Sequence, residues 1–312
     1  METRVLLEKV IDGFAVPGKN RAEKALEYLR YSTTQLAASK YLYSKKLNKE
    51  AVFLLQQSVE NAAKAFETLA LPNANGKNIR HAPLKVLRDH VPVLLQNFSN
   101  YVKIMEDISG IFSNQSGVGK FISERSGVKK KRDQTKANYD KIMTLSPAYI
   151  KRIDDIIKAT TDKGTNVGDR RKFWEQTLNL SDDAEAQFRN LLHDSDSANK
   201  RARSHKLGLL LVGPFVGLAV GKAHSKKFRA SVKYTISIYF FAFTRLFSLA
   251  YLTTLHQQPT RYPKTDGNDY WDSDAYTRDK PLVRNLSMLL RETSALNKAI
   301  KSASVAVIDY HG

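Results

Sequence analysis

The chain has 312 residues and 42% hydrophobic content, enough for one large domain or two ordinary domains with a real core. It contains no cysteine, which excludes disulfide scaffolds, zinc–thiolate and iron–sulfur centres, and a thiol nucleophile. Fifty Lys and Arg residues against 31 Asp and Glu give a formal net charge of +19, which favours a polyanionic partner. Only 15 Gly and 9 Pro, with long stretches rich in Leu, Ala, Lys and Glu, favour an all-α fold.

The first ten residues place charges where a secretory signal peptide would need an apolar run. We therefore expect a cytoplasmic protein.

Two apolar stretches bear on membrane contact. The first, residues 207–221, is short for a spanning helix and is flanked by basic residues. The second, residues 232–255, is long enough to span, but Lys233 and Arg245 would be costly in lipid, which favours a buried core helix over a membrane-inserted hairpin.

The first helical pattern runs from Asn20 to Leu47, and the second runs from Lys49 to Leu71. The spacing predicts these buried positions in the first helix: Ala25, Leu29, Leu36, Ala37 and Tyr41. It predicts these buried positions in the second: Ala51, Leu55, Val59, Ala62, Ala63 and Phe66. The short connection predicts an antiparallel helical hairpin.

A third helix is predicted to begin near His81 and to run towards Ile111. The composition changes after it, because residues 113–136 are rich in Gly, Ser and Lys. Helical patterns return at residues 146–159 and 181–193, and a final amphipathic helix runs from Pro281 to about Ile308. We predict a bundle formed by residues 1–113 and 232–312, split by a basic, mostly helical insertion at residues 114–231.

The positive charge is concentrated in the middle of the chain. Residues 117–233 hold 25 Lys and Arg against 13 Asp and Glu, so they supply +12 of the total. This excess is larger than solubility requires and predicts contacts with a phosphate backbone. The predicted nucleic-acid contacts are Lys129, Lys130, Lys131, Arg132, Arg170, Arg171, Lys172, Arg201, Arg203, Lys226, Lys227 and Arg229.

Residues 53–66 (FLLQQSVENAAKAF) and residues 80–84 (RHAPL) form two motifs in the first part of the chain. They resemble the first-hairpin signature and the next helix start of the HEPN-domain family. The "RYP" loop at 261–263, followed by Tyr276-Thr277 before a helix, resembles the end of the family's domain. The resemblance implies an up-and-down helical bundle, frequent homodimers and, in many members, RNA cleavage in toxin–antitoxin or antiviral defence systems.

The family's nuclease signature is an Arg followed by a His four to six residues later, with a polar residue often next to the Arg. By position, Arg284 and Asn285 match the first part, but residues 286–290 contain no His. A metal-independent ribonuclease needs a group that titrates near neutral pH. The substitutes are His193, which follows Arg189 on one predicted helix face, and His81; a helix-terminal role for His193 and a packing role for His81 are the plainer interpretations.

No histidine or carboxylate spacing indicates a metal site, and no cofactor is predicted. Residues 117–120 (GVGK) do not form a phosphate loop, because the full pattern needs a Gly where Asn114 stands and Ser or Thr where Phe121 stands.

Three functions stay open at this point. The first is an RNA-directed HEPN protein that binds RNA, with or without cleaving it. The second is a catalytically degenerate HEPN subunit that binds a nucleotide, an antitoxin or another partner protein. The third is a peripheral membrane protein whose basic residues beside the 207–221 run attract acidic headgroups.

Overall fold

A computed structural model describes residues 11–71, 220–254 and 280–312, with these further positions: 5, 8–9, 83–84, 87, 96, 100, 103, 107 and 276–277. The described residues form helices and contain no strand, which confirms the all-α prediction. The elements are α1 (Lys19–Ser44), α2 (Asn48–Ala70), α3 (Lys222–Thr235), a π-helical segment (Ile236–Ala242), α4 (Phe243–Thr254), α5 (Pro281–Arg284) and α6 (Leu286–His311).

Helices α1 and α2 form the predicted antiparallel hairpin. Serine hydroxyls on α1 bond to carbonyls of α2: Ser39 Oγ donates to Ala51 O (2.6 Å), and Ser32 Oγ lies 2.8 Å from Ser58 O. Ser58 Oγ in turn donates to Ser32 O at 2.8 Å. Small hydroxyl side chains at these positions let the two backbones approach closely while their polar atoms stay paired.

Sequence periodicity located the buried face of α2 correctly and that of α1 only in part. Ala25, Leu29 and Leu36 are buried as predicted, but Ala37 is exposed and Tyr41 is 63% exposed. The prediction for Ala37 and Tyr41 was wrong because Ser32 and Ser39 occupy the interior positions, which turns the apolar side chains of the last turns towards solvent.

The remaining long helices complete an up-and-down bundle. Asn297 Oδ1 of α6 lies 3.0 Å from Ser32 Oγ, and His311 Nε2 lies 2.9 Å from Pro17 O, so α6 runs antiparallel to α1. Helix α3, the π-helical segment and α4 form one continuous helix, which packs antiparallel to α6. Among the described residues, 22–71 therefore share one core with 234–252 and 282–308.

The predicted apolar helix lies inside this core. Ile238, Ala242, Leu246 and Leu249 are fully buried within the bundle. Arg245, the charge near its centre, is also buried; its Nε donates to Glu292 Oε2 of α6 at 3.0 Å and its Nη1 donates to Phe241 O at 3.1 Å. Within the described ranges, no helix combines the length and the apolar character needed to cross a bilayer.

Two structural details modify the predicted boundaries. The predicted boundary between residues 231 and 232 falls within α3, which begins ten residues earlier, directly after Gly221. Gly221 has φ of 89°, a conformation that favours glycine. The last predicted helix is interrupted at Asn285, which separates the single turn of α5 from α6.

The ion pair between Arg245 and Glu292 leads to a stability prediction. Their side chains are only 9% and 12% exposed, so Glu292→Ala would leave a guanidinium buried without its carboxylate. We expect the free energy of unfolding to fall by about 3 kcal/mol, measured by urea denaturation. Arg291→Ala is the control, because Arg291 contacts the same carboxylate at 3.6 Å from an exposed position and should cost less than about 1 kcal/mol. Equal losses in both variants would contradict the prediction.

The turn between α1 and α2 leads to a second stability prediction. Leu47 N donates to Leu42 O and Lys46 N donates to Tyr43 O, the paired bonds of a Schellman motif, with Lys46 in the left-handed region at φ of 64°. Lys46→Gly should raise the free energy of unfolding by roughly 0.5–1 kcal/mol, because it relieves the Cβ strain. Lys45→Gly is the control, since Lys45 has φ of −89° and no such strain to relieve. Stabilisation by both substitutions, or by neither, would show that the strain is not the cause.

Candidate nucleic-acid interface

One face of α3 carries four basic side chains in line: Lys222, Lys226, Arg229 and Lys233, hereafter the basic stripe. Their spacing of four, three and four residues keeps them within roughly 60° of one another around the helix axis. They follow one another at ~6, ~4.5 and ~6 Å along the axis. The first three side chains are exposed and Lys233 is half-buried, so α3 presents a row of cations about 16 Å long.

The side of α3 away from the basic stripe packs against the bundle. The ring of Phe228 is fully buried and meets the edge of Phe14 at a centroid distance of 6.2 Å. Ser225 and Val232 are buried on the same side. The stripe therefore stands on a helix that is held by its apolar face.

Tyr234 anchors the C-terminal part of α3 to the end of α2. Its hydroxyl donates to Leu69 O at 2.8 Å, while Arg21 Nε donates to Thr68 O at 2.7 Å and Arg21 Nη2 donates to Leu71 O. These three bonds satisfy carbonyls at a helix terminus that lack partners within the helix. Burial raises the pKa of Tyr234 well above its ordinary value and lowers the pKa of Arg21.

The positive charge at the start of α3 opposes the helix dipole. The helix contains five basic residues and no Asp or Glu, and Lys222 stands in its first turn, where a positive charge is unfavourable. Within the described ranges, no carboxylate forms an ion pair with a member of the stripe. Like charges kept close together without intramolecular compensation are typical of a surface that binds an anionic partner.

Lys227, which was predicted as a phosphate contact together with Lys226 and Arg229, lies outside the stripe. Its Nζ is 5.5 Å from the centroid of Tyr310 on α6, the geometry of a cation–π interaction. Lys227 is exposed and lies at the side of α3 nearest to α6, so it flanks the row rather than extending it.

The structure also describes the two residues that matched the family's nuclease position. Arg284 is exposed at the end of α5, and Asn285 is half-buried in the turn before α6. The Asn285 carbonyl accepts bonds from Met288 N (3.0 Å) and Leu289 N (3.1 Å), so this residue starts α6.

Neither described histidine approaches Arg284. His311 ends α6, about 39 Å along the helix from its start. His224 belongs to the first turns of α3, which lie beside the C-terminal part of α6, where Lys227 contacts Tyr310. Among the described residues, Arg284 and Asn285 are therefore not joined by a histidine that could transfer a proton.

The other predicted site residues lie outside the described residues. These are His81, Arg189, His193, Lys129, Lys130, Lys131, Arg132, Arg170, Arg171, Lys172, Arg201 and Arg203. Within the part of the chain that is described, no three His, Asp or Glu side chains are grouped as metal ligands.

Two members of the stripe were missing from the predicted contacts. Lys222 and Lys233 stand at the two ends of an i, i+4, i+7, i+11 pattern with Lys226 and Arg229. That spacing is visible in the sequence, but it defines a stripe only if one helix spans all four positions. The prediction of a helix beginning at residue 232 concealed the pattern.

Comparison with known proteins identifies no relative: no family model, no curated protein and no solved structure matches the chain. The assignment of function therefore rests on the residues of this chain.

The anchoring bond of Tyr234 leads to a pH-dependent prediction. A phenol whose pKa is raised by folding adds stability that is fully present below about pH 10 and is lost as the pH rises through the folded-state pKa. We expect Tyr234→Phe to reduce the free energy of unfolding at neutral pH by about 1 kcal/mol, because Leu69 O loses its donor. The variant should also lose less stability than wild type between pH 8 and pH 11.

Urea denaturation across that pH range measures both effects. Tyr31→Phe serves as the control, because Tyr31 is 49% exposed and its replacement should leave the free energy of unfolding at neutral pH nearly unchanged. An identical loss of stability with pH in the wild type and in Tyr234→Phe would contradict the prediction.

Proposed function

We propose that this chain is an RNA-binding protein with a HEPN-like helical bundle, in which the basic stripe of α3 contacts RNA phosphates. The observation that carries the proposal is the alignment of Lys222, Lys226, Arg229 and Lys233 on one face of a helix that has no acidic residue. Nucleic-acid backbones supply a row of negative charges, and cations in a row can neutralise several of them at once.

The surroundings of the stripe favour a nucleic acid over a membrane surface. A helix that attaches to an acidic membrane places apolar side chains next to its basic ones and inserts them below the headgroups. On α3 the large apolar side chains Phe228 and Val232 are buried in the bundle and cannot insert. Within the described residues of α3, the stripe offers charge without an exposed large apolar side chain beside it, and this combination fits phosphate contact in water.

The choice of RNA as the polyanion follows from the resemblance of residues 53–66 and 261–263 to HEPN proteins, many of which act on RNA. Cleavage stays a prediction, as do homodimerisation and the binding of a partner protein. The candidate proton carriers His81 and His193 lie outside the described residues, so the proposal is limited to binding.

The stripe predicts a specific salt dependence. Replacing Lys222, Lys226 and Arg229 with Gln should weaken RNA binding similarly for different sequences, because phosphate contacts carry no sequence information. If each side chain neutralises one phosphate, the plot of log affinity against log salt should become shallower by about two units on single-stranded RNA. Fluorescence anisotropy over a series of salt concentrations measures affinity and slope together.

A matched control removes three exposed cations from another helix, with Arg291→Gln, Lys298→Gln and Lys301→Gln on α6. This variant has the same net charge as the α3 variant. Equal losses of RNA affinity in the two variants would show that net charge alone explains the effect. The stripe would then be overturned as a binding site. Unchanged RNA affinity in the α3 variant, combined with lost sedimentation on phosphatidylserine vesicles, would identify a membrane surface as the partner instead.

A further inference from the structure

A second surface, on α1, combines exposed aromatic rings with positive charge. Tyr31 is 49% exposed and Tyr41 is 63% exposed, so both rings are open to solvent. The two residues lie ten positions apart, about 15 Å along the helix axis. Both rings stand on the face of α1 opposite to Leu29, Ser32 and Leu36, which are buried.

Each of the two rings has its own cation. Arg30 Cζ lies 5.5 Å from the centroid of Tyr31, and Lys45 Nζ lies 5.6 Å from the centroid of Tyr41. The surrounding segment, residues 28–49, contains five basic residues and no acidic residue. The basic residues of this segment are Arg30, Lys40, Lys45, Lys46 and Lys49.

The helix surface between the rings is flat. Thr34 and Ala38 occupy the positions between Tyr31 and Tyr41 on the same face, at successive spacings of three, four and three residues. Their side chains are short, and Thr34 Oγ1 donates to Arg30 O at 3.1 Å, so its hydroxyl is turned towards the backbone. The two tyrosines therefore stand as separated rings at the ends of a shallow surface.

Lys46, in the turn that follows α1, adds a positive charge to the same region. It occupies the left-handed position of the turn after α1, where glycine would avoid the steric cost of a Cβ. A lysine at this position costs conformational energy and places a positive charge next to that of Lys45. Within the described ranges its side chain makes no ion pair, which favours a role for its charge with an external partner.

We propose that this face of α1 binds single-stranded RNA, with unpaired bases stacked on Tyr31 and Tyr41 and the adjoining phosphates contacted by Arg30, Lys45 and Lys46. The inference rests on the proposed function and narrows it to a class of RNA. An unpaired base offers a flat ring to each tyrosine and carries a phosphate within reach of the neighbouring cation. A second copy of the chain is a less suitable partner for this face, because it would bring two positively charged segments together.

The experiment compares two RNA probes, an oligouridylate and a fully paired RNA duplex of the same length. Tyr31→Ala and Tyr41→Ala should each weaken oligouridylate binding by about five-fold or more, because each removes one stacking platform. Duplex affinity should change less than about two-fold, because paired bases are not available for stacking on side chains. Tyr31→Phe and Tyr41→Phe retain the rings and should bind both probes as the wild type does.

The outcomes separate this inference from the proposed function. If the wild type binds the oligouridylate and the alanine variants bind it equally well, the stacking surface is overturned while the α3 stripe still stands. Equal losses on the two probes would also overturn it, since bases would then not be involved. If the wild type binds neither probe, the proposed RNA binding itself fails. Circular dichroism and the thermal midpoint show whether each variant is folded, and the phenylalanine pair controls for changes in packing.

Discussion

The hydrogen bonds among Ser32, Ser58 and Asn297 join three helices at one level of the core, and the orientation of the exposed surfaces depends on them. Each residue belongs to a different helix, and all three are buried. A shift of α1 by one residue would separate Ser32 from both partners and leave their polar atoms buried without bonds, at a cost of roughly 1–3 kcal/mol for each. The Ser32 hydroxyl has one proton, which goes to Ser58 O, so the Asn297 amide makes the third bond by turning its Nδ2 towards Ser32 Oγ as the donor.

Sequence reasoning predicted the helices better than their orientation. Every position of α2 that was predicted to be buried is buried, because the apolar residues recur at helical spacing, although the interior of α2 also holds five polar side chains: Gln56, Ser58, Glu60, Glu67 and Thr68. In α1 the interior includes Ser32 and Ser39, whose hydroxyls bond to backbone carbonyls of α2. Hydropathy treats such serines as surface residues, so the predicted face was displaced towards Tyr41. Only a close approach of two backbones makes a serine a good interior residue, and that approach is a tertiary property.

The basic stripe of α3, like the buried face of α1, could be predicted from the sequence only in part. The basic run at residues 222–229 is evident from composition, but its arrangement as a row depends on where the helix begins. The partners that hold α3 and α4 are remote in sequence: Leu69 for Tyr234 and Glu292 for Arg245. A single sequence offers no sign of such pairs. It does indicate that a charge inside an apolar helix requires a partner, and Arg245 satisfies this requirement within the protein.

The π-helical segment has a consequence for the orientation of the basic stripe. A π turn accommodates one residue more than an α turn, so the helix on one side of it is rotated by about 100° relative to an uninterrupted α-helix. In this chain the segment separates α3, which exposes its charges, from α4, which buries Arg245 against Glu292. The π-helical segment thus changes the angle between the core-facing side of α4 and the solvent-facing side of α3. The direction in which the cations point therefore depends on residues 236–242, none of which is charged, as well as on the contacts that hold α3.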